Sequence, residues 1–310
     1  MVMKNLRIAY MGTPGFAVEP LRALLAAGCN VVAVITVADK PAGRGLKLRQ
    51  SDVKKFAVEN NLPVYQPEKL KDEQWIETYA SLNIDLAVVV AFRMLPKVIW
   101  DMPRLGTFNL HASLLPRYRG AAPINWAIIN GDRTTGVTTF FLDSKIDCGE
   151  IIGSMEVPID EHDSAGTLHD KLMVVGSELV VQTVDRIASG CATRTSQPVL
   201  EDELRGQAPK IFRADCQIDW SLSAKATYDK IRGLSPYPAA WCELSSATAK
   251  IFEAHYLLED HGCEIGAVES TESHEIRVAV CDGWVYIDRL QMAGAKKPLS
   301  SVEFLRGNKL

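Results

Sequence analysis

The chain has 310 residues, 47% hydrophobic and 23% charged, with 34 Lys/Arg against 38 Asp/Glu. This is an ordinary globular balance with room for about two domains and a sizeable core, and its net charge of −4 excludes a globally basic nucleic-acid-binding chain. The seven cysteines stand singly at 29, 148, 191, 216, 242, 263 and 281, an odd number with no CxxC pair, which argues against a disulfide framework or structural zinc and fits a reducing cytosol.

In chain order, residues 1–7 run straight into the apolar stretch Ile8-Ala9-Tyr10-Met11, too short for a signal-peptide core. The longest apolar run, residues 86–92, falls far short of the ~20 residues of a membrane helix. Short β-branched runs at 6–11, 31–37 and 86–92 alternate with amphipathic stretches at 18–27 and 53–60, which predicts βαβ units and a parallel sheet. Gly12-Thr13-Pro14-Gly15 forms the turn out of the first strand. Its GxxG spacing, without an acidic residue about 20 positions on, favours a tight strand-to-helix turn over a dinucleotide fingerprint.

Around 189–209 the periodicity stops and small, polar and turn residues dominate. The expected organisation is therefore a domain over 1–190, a linker over 191–207 and a second domain over 208–310. That second domain reads as a helix at 223–233 followed by alternating segments at 241–244, 250–258, 275–280 and 284–292, a small β-barrel of the oligonucleotide-binding kind. Splitting the charge uncovers no basic domain: 12 Lys/Arg face 14 Asp/Glu from Gln207 onward and 22 face 24 before it, so each part nets −2. Two local patches carry the positive charge: Lys40, Arg44, Lys47, Arg49, Lys54 and Lys55 against Asp52, and Lys296, Lys297, Arg306 and Lys309 against Glu303.

The chemistry concentrates in Gly106-Thr107-Phe108-Asn109-Leu110-His111, where Phe108 and Leu110 alternate with Asn109 and His111 at a period of two. One face packs and the other presents an amide beside an imidazole near a strand end, where open parallel sheets bind ligands. Both groups can donate to a developing oxyanion, and histidine can also move a proton near neutral pH. A strand over 136–143 leads into Ser144-Lys145-Ile146-Asp147-Cys148-Gly149-Glu150. Asp143 and Asp147 are both candidates to orient His111 or take a proton from an amine, and periodicity does not separate them; either could instead be a turn former. Cys148 reads as a packing thiol, and Trp220 and Trp241 as anchors of the second core.

The run Asn109-Leu110-His111-Ala112-Ser113-Leu114-Leu115-Pro116-Arg117-Tyr118-Arg119-Gly120, with Ile146-Asp147-Cys148-Gly149, resembles the folate-dependent formyltransferase family. Gly12-Thr13-Pro14-Gly15-Phe16-Ala17, Lys40-Pro41-Ala42-Gly43-Arg44-Gly45, Ile218-Asp219-Trp220 and the tail from Leu290 to Gly307 extend the resemblance over essentially the whole chain, to the members that formylate methionyl-tRNA. The resemblance implies a Rossmann-like parallel-sheet α/β domain followed by a small OB-like β-barrel domain. It implies transfer of the formyl group of 10-formyltetrahydrofolate, a co-substrate, to the amino group of methionyl initiator tRNA. Asn109 and His111 would stabilise the tetrahedral oxyanion, and Asp147 rather than Asp143 would hold the family's catalytic position. Ser113, Leu114, Leu115 and Pro116 would line the folate pocket. Lys40, Gly43, Arg44, Gly45 and Lys47 would meet the tRNA acceptor end, with further contacts from the C-terminal barrel. No metal is implied, and a cytoplasmic monomer is expected.

One departure is Arg93 in Ala91-Phe92-Arg93-Met94-Leu95-Pro96, where relatives commonly carry a glycine near the expected pterin. An amino-sugar-nucleotide formyltransferase would share Asn109, His111 and Asp147, but the Arg44 loop and the basic tail favour tRNA. A purine-pathway formyltransferase would normally lack the segment after the linker. A catalytically silent RNA-binding protein on this fold would be indifferent to loss of His111.

Overall fold

The computed structural model describes residues 3–42, 47–199 and 206–308. They form two compact units, Met1–Arg119 with Gly136–Val157 and Asp170–Gln207, and Gly120–Thr135 with Pro158–His169 and Ala208–Leu310.

In the first unit, β1 (Ile8–Gly12), α1 (Val18–Ala26), β2 (Val31–Ile35), α2 (Asp52–Glu59), β3 (Val64–Tyr65), α3 (Glu73–Ser81), β4 (Leu86–Val90) and β5 (Thr107–His111) follow one another. β6 (Thr134–Phe141) and β7 (Ile151–Pro158) complete a seven-stranded sheet of order β7-β6-β5-β4-β1-β2-β3. β1 lies parallel to β2 and β4, β2 to β3 and β4 to β5, whereas β6 runs antiparallel to β5. Every residue of β1 and β4 is buried, as expected of central parallel strands covered on both faces, and hence their continuous apolar runs. Ser51 and Asp72 cap α2 and α3 by accepting from the backbone N–H of Lys54 and Trp75. The long α4 (Ala165–Ala188) packs against the sheet through Gly176, where a Cβ would stand 2.9 Å from Leu110 Cδ2. No described helix is long and apolar enough to cross a membrane.

In the second unit, α5 (Ala224–Leu234) covers an antiparallel half-barrel of β8 (Ala240–Leu244), β9 (Ala247–Leu258), β10 (Val268–Ser270), β11 (Ile276–Val280), β12 (Gly283–Met292) and β13 (Leu299–Ser300). Its order is β8-β9-β12-β11-β10, with β13 on β12. Ile231, Leu234, Ile251, Val278, Val285, Ile287 and Phe304 form its core, against which Trp220 and Trp241 pack as expected. Burial pushes the Cys242 thiol up to about 12, the behaviour of an inert packing cysteine.

The two units interleave along the chain. Residues 120–135 and 158–169 belong to the C-terminal unit, where α5 meets them through apolar packing of Ile129 and through polar contacts that hydrophobic periodicity does not encode. Asn125 Nδ2 donates to the Gly233 carbonyl at 2.7 Å, Arg232 Nη1 to the Asp163 carbonyl at 2.7 Å, and Tyr228 OH to the Glu161 carbonyl at 3.0 Å. The buried Arg232–Asp229 pair at 2.7 Å lies within α5 itself. Within the span read as a linker, residues 191–199 and 206–207 are described and belong to the first unit.

Candidate active site

The parallel strands run β1-β2-β3 to one side and β4-β5 to the other, so the order reverses between β1 and β4. A ligand crevice is expected at the carboxyl ends of these strands. Gly12, which closes β1, has no room for a Cβ: one would lie 2.7 Å from Ala17 Cβ and 3.1 Å from the Val90 carbonyl oxygen. Close packing therefore accounts for this glycine without a bound nucleotide. At the end of β4, Arg93 donates through Nη1 to the Glu68 carbonyl at 2.8 Å and through Nη2 to the Pro67 carbonyl. Its guanidinium is committed to backbone carbonyls at 67–68.

β5 behaves as its alternation predicts. Phe108 is fully buried and Leu110 nearly so, while Asn109 is half-buried and among the described residues its side chain has no hydrogen-bond partner. An amide held by a packed strand with its donors unspent is ready for an incoming acceptor. His111, at the strand end, is only 6% exposed. Its Nε2 lies 2.8 Å from the Tyr118 carbonyl oxygen. A carbonyl only accepts, so Nε2 carries a proton and donates it there, and Nδ1 is the nitrogen left for chemistry. Tyr118 is itself buried, with a left-handed φ of 59° that turns its carbonyl toward the ring.

His111 Nδ1 stands 3.9 Å from Asp147 Oδ2, and both side chains are largely buried. Asp143 instead accepts the backbone N–H of Lys145 at 2.7 Å and holds the turn. The structure thus separates two aspartates that periodicity left equivalent. Asp147 adopts φ 53°, a left-handed conformation to which aspartate is better suited than most residues. Two residues on, Gly149 passes so close to β6 that a Cβ would fall 1.7 Å from the Phe141 carbonyl oxygen. Cys148 donates its thiol to the Ile146 carbonyl at 3.2 Å.

The run after β5 is tied to β6 by Thr138, whose Oγ1 donates to the Ser113 carbonyl at 2.7 Å and accepts from Leu115 N–H at 3.2 Å. Ser113, Leu115 and Pro116 are buried in this packing, and Leu114 is half-buried. The Tyr118 carbonyl and Thr138 were missed at the sequence level because a backbone acceptor and a strand threonine leave no distinguishing pattern.

Lys40 and Lys47 lie on two short antiparallel strands, Lys40–Ala42 and Lys47–Arg49, paired Lys40 to Arg49 and Ala42 to Lys47. Gly43, Arg44 and Gly45 lie outside the described residues, as does the Lys47 side chain. The root of this hairpin is tightly bonded. Lys54 Nζ donates to Asp39 Oδ2 at 2.6 Å and to Gln66 Oε1 at 2.7 Å, Gln66 Nε2 donates to Asp39 Oδ1 at 2.8 Å and the Val37 carbonyl at 2.7 Å, and the Thr36 and Ser51 hydroxyls meet at 2.8 Å. Lys55 pairs with Asp52 at 3.0 Å. Two cations of the patch are thus neutralised locally; Asp39, one residue before the basic window, was not counted with it. Among the described residues no group of three or more His, Cys, Asp and Glu could hold a metal ion.

Residues 6–184 match the formyl transferase family, and residues 210–309 match the formyl transferase C-terminal domain. The chain belongs to the formyl transferase family. It is 53% identical over 320 residues to methionyl-tRNA formyltransferase of Bacteroides thetaiotaomicron, covering 100% of this chain and 98% of that protein. It is 50% identical over 309 residues to methionyl-tRNA formyltransferase of Flavobacterium johnsoniae, covering 98% and 97%. Among solved structures, the fold is similar to WlaRD, a sugar 3N-formyl transferase crystallised in the presence of dTDP and 5-N-formyl-THF, with a TM-score of 0.66 and 22% identity over 94% of this chain and 98% of that one. It is also similar to HypX from Aquifex aeolicus in complex with tetrahydrofolic acid, with a TM-score of 0.67 and 17% identity over 97% of this chain and 47% of that one. At such identities these structures speak to the formyl transferase fold, which runs through both units of this chain.

Proposed function

We propose that the chain transfers the formyl group of 10-formyltetrahydrofolate to the free amino group of methionyl initiator tRNA, acting as a cytoplasmic monomer. The observation that carries the reading is His111 beside Asp147 at the end of β5, the strand that also carries Asn109, in a chain about half identical over its whole length to methionyl-tRNA formyltransferases.

The amine nitrogen attacks the formyl carbon, the carbonyl becomes an oxyanion, and collapse breaks the bond to the folate N10 while the amine loses a proton, with N10 taking up one as it leaves. Asn109 donates its amide to the oxyanion. With Nε2 spent on Tyr118, His111 acts through Nδ1: the cationic ring donates to the oxyanion and the neutral ring accepts a proton. Asp147 lies 3.9 Å away, close enough to balance the cationic ring and to receive the amine proton directly or through one water. Leu114, half-buried beside β6, would touch the folate, while Ser113, Leu115 and Pro116 shape the wall behind it. Arg93 is held by the 67–68 carbonyls, which favours a pterin site that the arginine does not fill. Arg44, with Lys40, Gly43, Gly45 and Lys47, would meet the acceptor end of the tRNA, where a guanidinium suits phosphate and base edges. The segment over 208–310 would add backbone contacts.

The test is single-turnover formyl transfer from 10-formyltetrahydrofolate to methionyl initiator tRNA, run beside 4-amino sugar nucleotides and glycinamide ribonucleotide. Transfer to the tRNA alone, abolished in His111→Ala, is the expected result. Transfer to a small amine would keep the catalytic trio and overturn the substrate.

A further inference from the structure

The Asp147 loop is held from an unexpected direction. Gln197, half-buried in the segment after α4, donates through Nε2 to two backbone carbonyls at once, those of Asp147 and Gly149, each at 2.9 Å. Its Oε1 is held in turn by Arg119, through Nε at 3.1 Å and Nη2 at 2.6 Å. This second contact fixes the amide orientation: with the oxygen facing a guanidinium, the NH2 group must face the loop. The same segment is laid along the loop at two further points. Thr195 and Ile151 exchange backbone hydrogen bonds at 2.8 and 3.0 Å, and the Arg194 guanidinium lies 4.0 Å from the centre of the Phe141 ring.

We propose that Gln197 is a positioning residue for formyl transfer, clamping the backbone of Asp147 so that its carboxylate stays beside His111, with Arg119 setting the clamp. The inference rests on the reading of Asp147 as a participant in the reaction. Its physical basis is that Asp147 sits in a left-handed conformation and reaches Nδ1 only at 3.9 Å. Such a residue persists in a sparsely populated conformation only if its surroundings over-determine it. Gly149 blocks movement toward β6, where the Phe141 carbonyl already lies too close for a Cβ, and Gln197 restrains the loop through its carbonyls. Arg119 belongs to the same run as His111 and Tyr118, so one stretch of chain orients both the imidazole and, through Gln197, its carboxylate partner.

The experiment uses Gln197→Glu in the full chain. A carboxylate still accepts from Arg119 but offers no N–H to the two carbonyls. The expected result is a fall in kcat of about 10- to 100-fold, the range for misplacement of a catalytic group by about an ångström, with KM for tRNA and folate unchanged. Added to Asp147→Asn, the change should cost nothing further. Cys148, next to Asp147, gives a readout independent of catalysis. Its alkylation, followed peptide by peptide in a mass spectrometer, should speed up about tenfold, as expected when two ordinary hydrogen bonds holding a loop are lost. Gln197→Ala serves the same purpose if the glutamate variant does not fold. Unchanged kcat with unchanged Cys148 reactivity overturns the proposal, as does a rise in tRNA KM alone, which would make the segment a substrate contact. If Asp147→Asn itself leaves turnover intact while Gln197→Glu still exposes Cys148, the clamp stands and the functional reading falls.

Discussion

Two regions of the first unit, the end of β5 and the hairpin over 40–49, carry the proposed chemistry and the proposed tRNA contact, and they are held in opposite ways. At the end of β5 two participants are fixed on their far sides, His111 by the Tyr118 carbonyl and Asp147 through Gln197 and the tight passage of Gly149, and the following run is tied by Thr138. The hairpin is bonded at its root through Asp39, Lys54, Gln66, Thr36 and Ser51, while Lys40 and Arg49 are exposed. A reacting group loses rate steeply when displaced by about an ångström, whereas a cation that meets phosphates works over a range of positions.

The largest break in this contrast is expected at Gly149→Ala. Its Cβ would fall 1.7 Å from a backbone oxygen, so the main chain carrying Asp147 must move. Single-turnover transfer should fall by about 100-fold, with tRNA affinity retained. Arg44→Ala should act the other way, raising KM for the tRNA by about tenfold, as for loss of a charge-assisted hydrogen bond, with kcat and folate KM unchanged. Loss of folate binding alone would remove the hairpin from the tRNA site.

The smallest effect is a pH dependence of the hairpin. Hydrogen bonds from Lys54 and then Gln66 hold the Asp39 carboxyl below the usual carboxylate range. A depressed folded value means that this contribution is fully present above the unfolded carboxylate range and is lost as pH falls through the folded one. Limited proteolysis between Lys40 and Arg49 should therefore accelerate as pH falls below the ordinary carboxylate range. Asp39→Asn should be cleaved faster at neutral pH and show no acid step; an unaltered acid step would place its cause elsewhere.

Much of this was legible in the residues. The fully buried β1 and β4 announce themselves as apolar runs, and β5 as an alternation that separates Asn109 and His111 from Phe108 and Leu110. Four of the six strands of the half-barrel, β8, β9, β11 and β12, fall within a few residues of their expected places, whereas the short β10 and β13 were not anticipated. β3 has only two residues, too few to show a period. The grouping of 120–135 and 158–169 with α5 rests on the packing of Ile129 and on hydrogen bonds from Tyr228, Arg232 and Asn125, all across long sequence separations. Periodicity left Asp143 and Asp147 equivalent and the resemblance alone favoured Asp147, which lies beside His111, while Gln197 lay in a stretch whose composition suggested only a linker.

The central claim is that Asp147 serves the chemistry beside His111 and not the grip on tRNA. Single-turnover transfer by Asp147→Asn, paired with direct binding of methionyl initiator tRNA, tests it most directly. A rate lower by about 1000-fold with unchanged affinity is the predicted result. A retained rate, or a rate and an affinity that fall together, would contradict it.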